Sequence, residues 1–137
     1  MFHNRLCDSD KLLIVGDPKG VHSKISLLKY EPQNMWVWDN DPRHFYTIQQ
    51  IDARINLVND LNFNDMYFSQ CISNPPYKGN LHLEFLLKEL NISDAVIQIH
   101  PSGWLYRTTK DIEKRVKNAL KGRVKKIKFF NGNYTFP

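Results

Sequence analysis

At 137 residues the chain has the length of a single domain, and 42% hydrophobic with 24% charged residues fits a chain that folds around a core. No apolar run nears the ~20 residues of a membrane span, the opening MFHNRLCDSD lacks a signal-peptide core, and Cys7 and Cys71 match no metal or redox spacing, so the expectation is a reduced, cytoplasmic protein. The net charge of +5 is uneven: residues 1–103 carry nine Lys/Arg against twelve Asp/Glu, net −3, and residues 104–137 carry ten against two, net +8.

Strand and helix signals alternate along the chain. KLLIVGD (11–17) is an apolar run closed by Gly-Asp-Pro and predicts a buried strand. VHSKISLLKY (21–30) predicts a short helix, stopped by Glu31-Pro32. NMWVWDND (34–41) reads as a second strand, with Trp36 and Trp38 on one face as core residues. PRHFYTIQQID (42–52) begins with proline where a helix tolerates it, with Asp41 placed to cap it. RINLVNDL (54–61) and YFSQCIS (67–73) predict the third and fourth strands. LHLEFLLKEL (81–90) brings Leu83, Leu86, Leu87 and Leu90 onto one helical face. DAVIQIH (94–100) predicts a fifth strand. TTKDIEKRVKNALKG (108–122) is the clearest helix, with capping-box spacing at Thr108 and Asp111 and a stop at Gly122. VKKIKFF (124–130) predicts a sixth strand.

This alternation implies an α/β fold, a mostly parallel sheet with helices on both faces. Such sheets bind ligands outside the C-terminal ends of their strands. Four of those ends are polar or conformationally special: Gly16-Asp17-Pro18-Lys19-Gly20, Asp39-Asn40-Asp41, Asn59-Asp60 and Asn74-Pro75-Pro76-Tyr77. The last is the most unusual. Two adjacent prolines remove two backbone donors and fix two φ angles, and each pushes its predecessor towards extended backbone. The product is a stiff loop that presents acceptors.

The order of these elements resembles the Rossmann-like, S-adenosylmethionine-dependent N6-adenine DNA methyltransferases. The resemblance spans residues 11–136 and rests on NPPY at 74–77, on the flanking YKGNLHLEFL, which is similar to restriction-modification and phage enzymes, and on VWDNDP, which is similar to the family's acidic cofactor element. It implies a bacterial or phage-infected cell. It implies that the Asn74 side chain and the Pro75 carbonyl accept hydrogen bonds from a flipped adenine's exocyclic amine, that Pro76 stiffens the loop, and that Tyr77 stacks on the base. It also implies that Gly16, Asp17, Gly20, Asp39 and Asp60 bind S-adenosyl-L-methionine, with Asp39 on the ribose hydroxyls and Asp60 on the cofactor's adenine amine. The first loop departs from the family's glycine-rich run, having only Gly16 and Gly20 beside Lys19, Val21 and His22.

A basic C-terminal stretch suits phosphate contact, and a solvated helix with a lysine-guarded edge strand has the same composition. Lys78, Arg107, Lys121, Arg123, Lys125, Lys126 and Lys128 are the candidate nucleic-acid contacts. The partner expected is DNA, with RNA as an alternative and no membrane. The five histidines have no ligand-like spacing, so no metal is expected, and His100 reads as a structural strand-end histidine. NPPY also occurs in methyltransferases of RNA adenine and of a protein glutamine, and an eroded first loop is compatible with a non-catalytic nucleic-acid or partner-binding module. The family's sheet has seven strands, the seventh lying between the fifth and sixth, and no residues here supply it. One methyltransferase domain over 1–137 is expected, as part of a longer protein or completed by a partner chain, and without a target-recognition domain.

Overall fold

The computed structural model describes residues 10–60, 66–76, 78–99, 103–106 and 110–129. The chain divides into two compact units, Met1–His100 and Pro101–Pro137. The first holds β1 (Leu12–Val15), α1 (Val21–Ser26), a 3-10 turn (Pro32–Asn34), β2 (Met35–Trp38), α2 (Pro42–Ile51), β3 (Asn56–Val58), β4 (Phe68–Ser73), α3 (Leu81–Ile92) and β5 (Ser93–Gln98). The five strands form one sheet in the order β3-β2-β1-β4-β5, every pairing parallel. This is the parallel sheet flanked by helices that the alternating pattern implied.

β1 is central, so both its faces must be apolar, and Leu12, Leu13, Ile14 and Val15 are all fully buried. Strand alternation sends them to two cores. Leu12 and Ile14 join Met35, Val37, Ile48 of α2 and Ile55 on one face. Leu13 and Val15 join Phe68 and Cys71 on the other, where Trp36, Trp38 and Phe85 of α3 pack against them. The two tryptophans do belong to the core. Trp36 meets Phe68 edge-on with ring centroids 5.7 Å apart, and Trp38 lies tilted on Phe85 at 4.7 Å, separations at which aromatic pairs attract beyond their buried area.

Helix ends follow the local chemistry. Pro42 opens α2, and the Asp41 carboxylate accepts from the Arg43 N–H at 3.0 Å, the expected cap. α1 is shorter than the 21–30 pattern suggested, stopping at Ser26 before a turn that buries Tyr30. α3 runs into β5 without an intervening loop. In the second unit a 3-10 turn (Gly103–Tyr106) precedes α4 (Asp111–Leu120), which buries Glu113 and Val116. Thr108 lies outside the described residues. The α4 start is closed by Glu113, whose carboxylate accepts from the Lys110 N–H at 3.1 Å.

The sixth strand expected over 124–130 is a correction. Its described residues, 124–129, form no strand and all are exposed. Ile127 and Phe129 alternate with lysine as on a half-buried strand, yet a strand exists only where a neighbour takes its backbone groups and a face covers its apolar side chains. Among the described residues, 124–129 join no strand ladder and their apolar side chains stay exposed. No helix among them is long and apolar enough to cross a membrane.

Candidate functional site

The site is built where β1, β2 and β4 end. Gly16 leaves β1 with φ +78°, a left-handed conformation open to glycine at little cost. Its N–H donates to the Trp38 carbonyl at 2.8 Å, and the Asn74 N–H donates to the Val15 carbonyl at 2.8 Å. The glycine is thus pinned between the ends of β2 and β4. A Cβ on it would stand 2.4 Å from the Asn74 carbonyl oxygen, closer than real Cβ contacts allow. The first loop and the Asn-Pro-Pro loop are in direct contact, and glycine is what permits it.

Asp39 follows β2 and is 5% exposed. One carboxylate oxygen accepts from the Asp17 N–H at 3.2 Å. The other accepts from the Asp41 N–H at 2.9 Å and faces His44 Nδ1 at 2.7 Å. Two acceptors would repel at that distance, so Nδ1 is assigned the proton, and in the neutral ring Nε2 is then the acceptor. A carboxylate has about four lone-pair sites. Three are occupied, which leaves about one for a ligand. Beside it, Asp41 is bound bidentately by Arg43, and those hydrogen bonds lower the Asp41 carboxyl to about 2.

These elements enclose an open pocket of about 190 Å³. Gly16 and Pro18 come from the first loop, Trp38, Asp39 and Asn40 from the end of β2, His44 from α2, and Asn74, Pro75 and Pro76 from the end of β4. The volume is below the ~300–1,000 Å³ of complete ligand clefts, so the walls described fit part of a nucleoside-sized ligand.

Gly16, Asp39, Asn74, Pro75 and Pro76, all singled out from sequence, therefore share one pocket. Other candidates lie elsewhere. Asp17 is buried beside the pocket, but its side chain serves α1, accepting from the His22 N–H at 3.2 Å, the Ser23 N–H at 2.8 Å and the Ser23 hydroxyl at 2.7 Å. Gly20 is absent from the lining. A Cβ there would meet Ile51 Cδ1 at 2.3 Å, so its bareness serves the approach of α1 to α2. Asp60 is exposed, two residues beyond β3, and is not part of the lining. Lys78 is exposed beside the loop. In the second unit Lys121, Arg123, Lys125, Lys126 and Lys128 are all exposed. Tyr77, His100 and Arg107 lie outside the described residues.

Sequence reasoning placed Pro18 and Asn40 at the strand ends without giving them a role, missed His44, and took Trp38 for core alone. His44 carried a usable signal. It is the third residue of α2, and a side chain at that position folds back over the cap, here onto Asp39 and Asp41. No group of three or more His, Cys, Asp or Glu residues able to hold a metal occurs among the described residues.

No protein-family model matches the chain, and no curated protein does. Several solved structures share its fold. The Thermoplasma acidophilum protein 1320 is 20% identical with a TM-score of 0.60, over 81% of this chain and 59% of that one. PH1948 from Pyrococcus horikoshii, a candidate RNA methyltransferase, is 22% identical with a TM-score of 0.56, over 79% and 54%. TrmN from Thermus thermophilus is 14% identical with a TM-score of 0.56, over 79% and 36%. The chain matches 36–59% of the length of these proteins. The fold they share is the Rossmann-like fold of the class I methyltransferases.

Proposed function

We propose that this chain binds S-adenosylmethionine and directs its methyl group to the exocyclic amine of an adenine in a nucleic acid. The observation that carries the reading is the contact of the two loops. A Gly-Asp cofactor-type element and an Asn-Pro-Pro acceptor element wall one pocket, with Gly16 under the Asn74 carbonyl.

The residues fit that cofactor. Gly16 keeps its wall bare, and Asp39, held by His44 Nδ1, would offer ribose hydroxyls the one remaining site on its carboxylate. When bound, S-adenosylmethionine would supply a methyl group on a positively charged sulfur. The chain's own contribution is to the amine. An adenine amino group is a poor nucleophile because its lone pair is delocalised into the ring. The Asn74 side-chain oxygen and the Pro75 carbonyl would each accept one N–H, drawing the nitrogen towards tetrahedral geometry and returning its lone pair. Pro75 and Pro76 fix the backbone, so the acceptors are oriented beforehand, where such groups do most for a transition state. Lys78 and the exposed basic residues of 121–128 would hold phosphate.

Between the nucleic acids, likeness to PH1948 favours RNA, and the NPPY resemblance favours DNA. Labelled cofactor with pools of single-stranded RNA, duplex DNA and protein separates them. Label on adenine N6 in either nucleic acid supports the reading and names the polymer. Label on protein glutamine overturns it, and no cofactor binding at millimolar concentration leaves a non-catalytic module.

A further inference from the structure

Among the buried ionisable groups that the mechanism above leaves unused, Glu89 is linked to the acceptor loop through its bond to Ser73. Glu89 lies on α3 and is fully buried. One of its oxygens accepts from the Ser73 hydroxyl at 2.7 Å, and the other accepts from Gln98 Nε2 at 3.0 Å, which also lies 3.4 Å from Ser73 Oγ. Ser73 is the last residue of β4 and immediately precedes Asn74. Its backbone is paired with Val15 of β1 and Gln98 of β5, and its carbonyl accepts from the Ile99 N–H at 3.0 Å. The carboxylate therefore ties α3 to the ends of two strands at the root of the acceptor loop.

A buried carboxylate is costly, and neutral donors return only part of the cost. Burial raises the Glu89 carboxyl to about 7, against the lowering effect of Ser73, Gln98 and Cys71. Cys71 faces it from β4, with a thiol that burial and then Glu89 push well up. Ser73 of β4 and Gln98 of β5 are uncharged. A leucine at this position would pack without the penalty, and it would leave the ends of β4 and β5 without a common partner.

We propose that Glu89 is a positioning residue for the Asn74-Pro75-Pro76 loop, holding the ends of β4 and β5 through Ser73 and Gln98 so that the two acceptors keep their aim at the amine. This rests on the methyl-transfer reading. The ionised carboxylate accepts from both partners. Once protonated it donates to Ser73 Oγ, and the serine must turn its own proton elsewhere, so the loop's root has two hydrogen-bond arrangements. Glutamine at 89 imitates the neutral one.

The test uses the full chain with Glu89→Ala, Glu89→Gln and Ser73→Ala, measured for kcat and KM from pH 5.5 to 9 and for backbone amide exchange at Asn74 and Ile99. Misplacing reacting groups by about 1 Å can cost ~100-fold. Glu89→Ala is expected to lose ~10–100-fold in kcat with KM unchanged. Glu89→Gln should recover most of it and lose the change in kcat that the wild type shows around neutral pH. Wild-type kcat in Glu89→Ala, or equal losses in the two variants, overturns the proposal. If Glu89→Ala does not fold, Ser73→Ala removes only the link to the loop and decides on the same criteria. If the wild type methylates nothing, the methyl-transfer reading falls, and exchange decides the positioning. Faster exchange at Asn74 and Ile99, with β2 amides unchanged, supports it, and unaltered exchange overturns it.

Discussion

Replacing Gly16 by alanine tests whether the two loops are as close as the geometry requires. The residue has φ +78°, and the new Cβ would stand 2.4 Å from the Asn74 carbonyl oxygen. The left-handed backbone alone costs a residue with a Cβ about 1–2 kcal/mol. Ordinary contact begins at 3.4 Å, so the Asn74 carbonyl must retreat by 3.4 − 2.4 = 1.0 Å. That shift strains the hydrogen bonds of Gly16 to Trp38 and of Asn74 to Val15, both 2.8 Å long, and losing one costs about 0.5–1.5 kcal/mol. The sum is about 1.5–3.5 kcal/mol. Gly79→Ala supplies the control: φ is +60° there, and nothing lies within 4 Å of the added carbon. Urea unfolding should show a lower midpoint at unchanged slope for both variants, with Gly16→Ala lower by the cost of the steric clash. Cofactor affinity should fall in Gly16→Ala alone. Equal midpoints for the two variants, with equal cofactor affinity, would refute the proposed contact between the loops.

Asn74→Ala should abolish methyl transfer while lowering stability by less than ~1 kcal/mol, since a half-buried loop side chain packs little core; retained transfer removes Asn74 from the acceptor role. Asp39→Ala should destabilise by at least ~2 kcal/mol, because the N–H groups of Asp17 and Asp41 and the His44 ring lose one shared acceptor, and it should weaken cofactor binding by ~1–3 kcal/mol; calorimetric titration and urea midpoints read both. For Glu89, the folded carboxyl is raised from 4.5 to about 7, so the native state holds the proton more tightly, and stability should fall as pH rises from ~4.5 through ~7, by about 3 kcal/mol, and then level off. Glu89→Gln should flatten that stretch, and urea midpoints at pH 4.5, 6 and 8 will show whether it does. Charge-neutralising Lys121, Lys125, Lys126 and Lys128 should reduce the salt dependence of nucleic-acid binding, with a slope lower by ~1 for each phosphate that is no longer neutralised, read by fluorescence anisotropy at several salt concentrations.

β1 and β2 were legible because each is a short apolar run ended by Gly16 or Asp39, β3, β4 and β5 because shorter apolar stretches recur between helix signals, and the Asn-Pro-Pro loop because two prolines leave few alternatives. Residues 124–129 mix β-branched and aromatic side chains with lysine as an edge strand does, but such composition describes one chain segment and says nothing of a neighbour. Asp17 and Asp39 looked alike, each an acid after a strand. Their difference is a matter of which donors reach them: Asp17 is taken up by the first turn of α1, whereas Asp39 stays at the pocket. Gly20 resembled Gly16 for the same reason, yet one clears Ile51 and the other clears Asn74. Glu89 was invisible, since a glutamate within LHLEFLLKEL reads as the solvated side of an amphipathic helix. In the structure the buried face of α3 runs through His82, Leu83, Leu86 and Glu89, so the glutamate faces the ends of β4 and β5 while Glu84 and Lys88 stay exposed.

The strand order explains why the pocket falls where it does. From β1 the chain winds outward through β2 to β3, then returns to the other side of β1 and winds through β4 to β5. Leu27, closing α1, packs on one face of the sheet with Ile48 of α2, and Phe85 of α3 packs on the opposite face. The connections after β1 and β4 therefore leave adjacent strand ends in opposite directions, and a crevice opens between them. Switch points of this kind are where open α/β sheets take ligands. Gly16 and Asn74 are the first residues beyond those two strands, brought together by the β1–β4 pairing of Val15 with Ser73 although 58 positions separate each pair in sequence. In the proposed reading these are a cofactor loop and an acceptor loop, and they meet where Gly16 lies against the Asn74 carbonyl. Chemistry between two bound groups needs that closeness, and a side chain at residue 16 would prevent it.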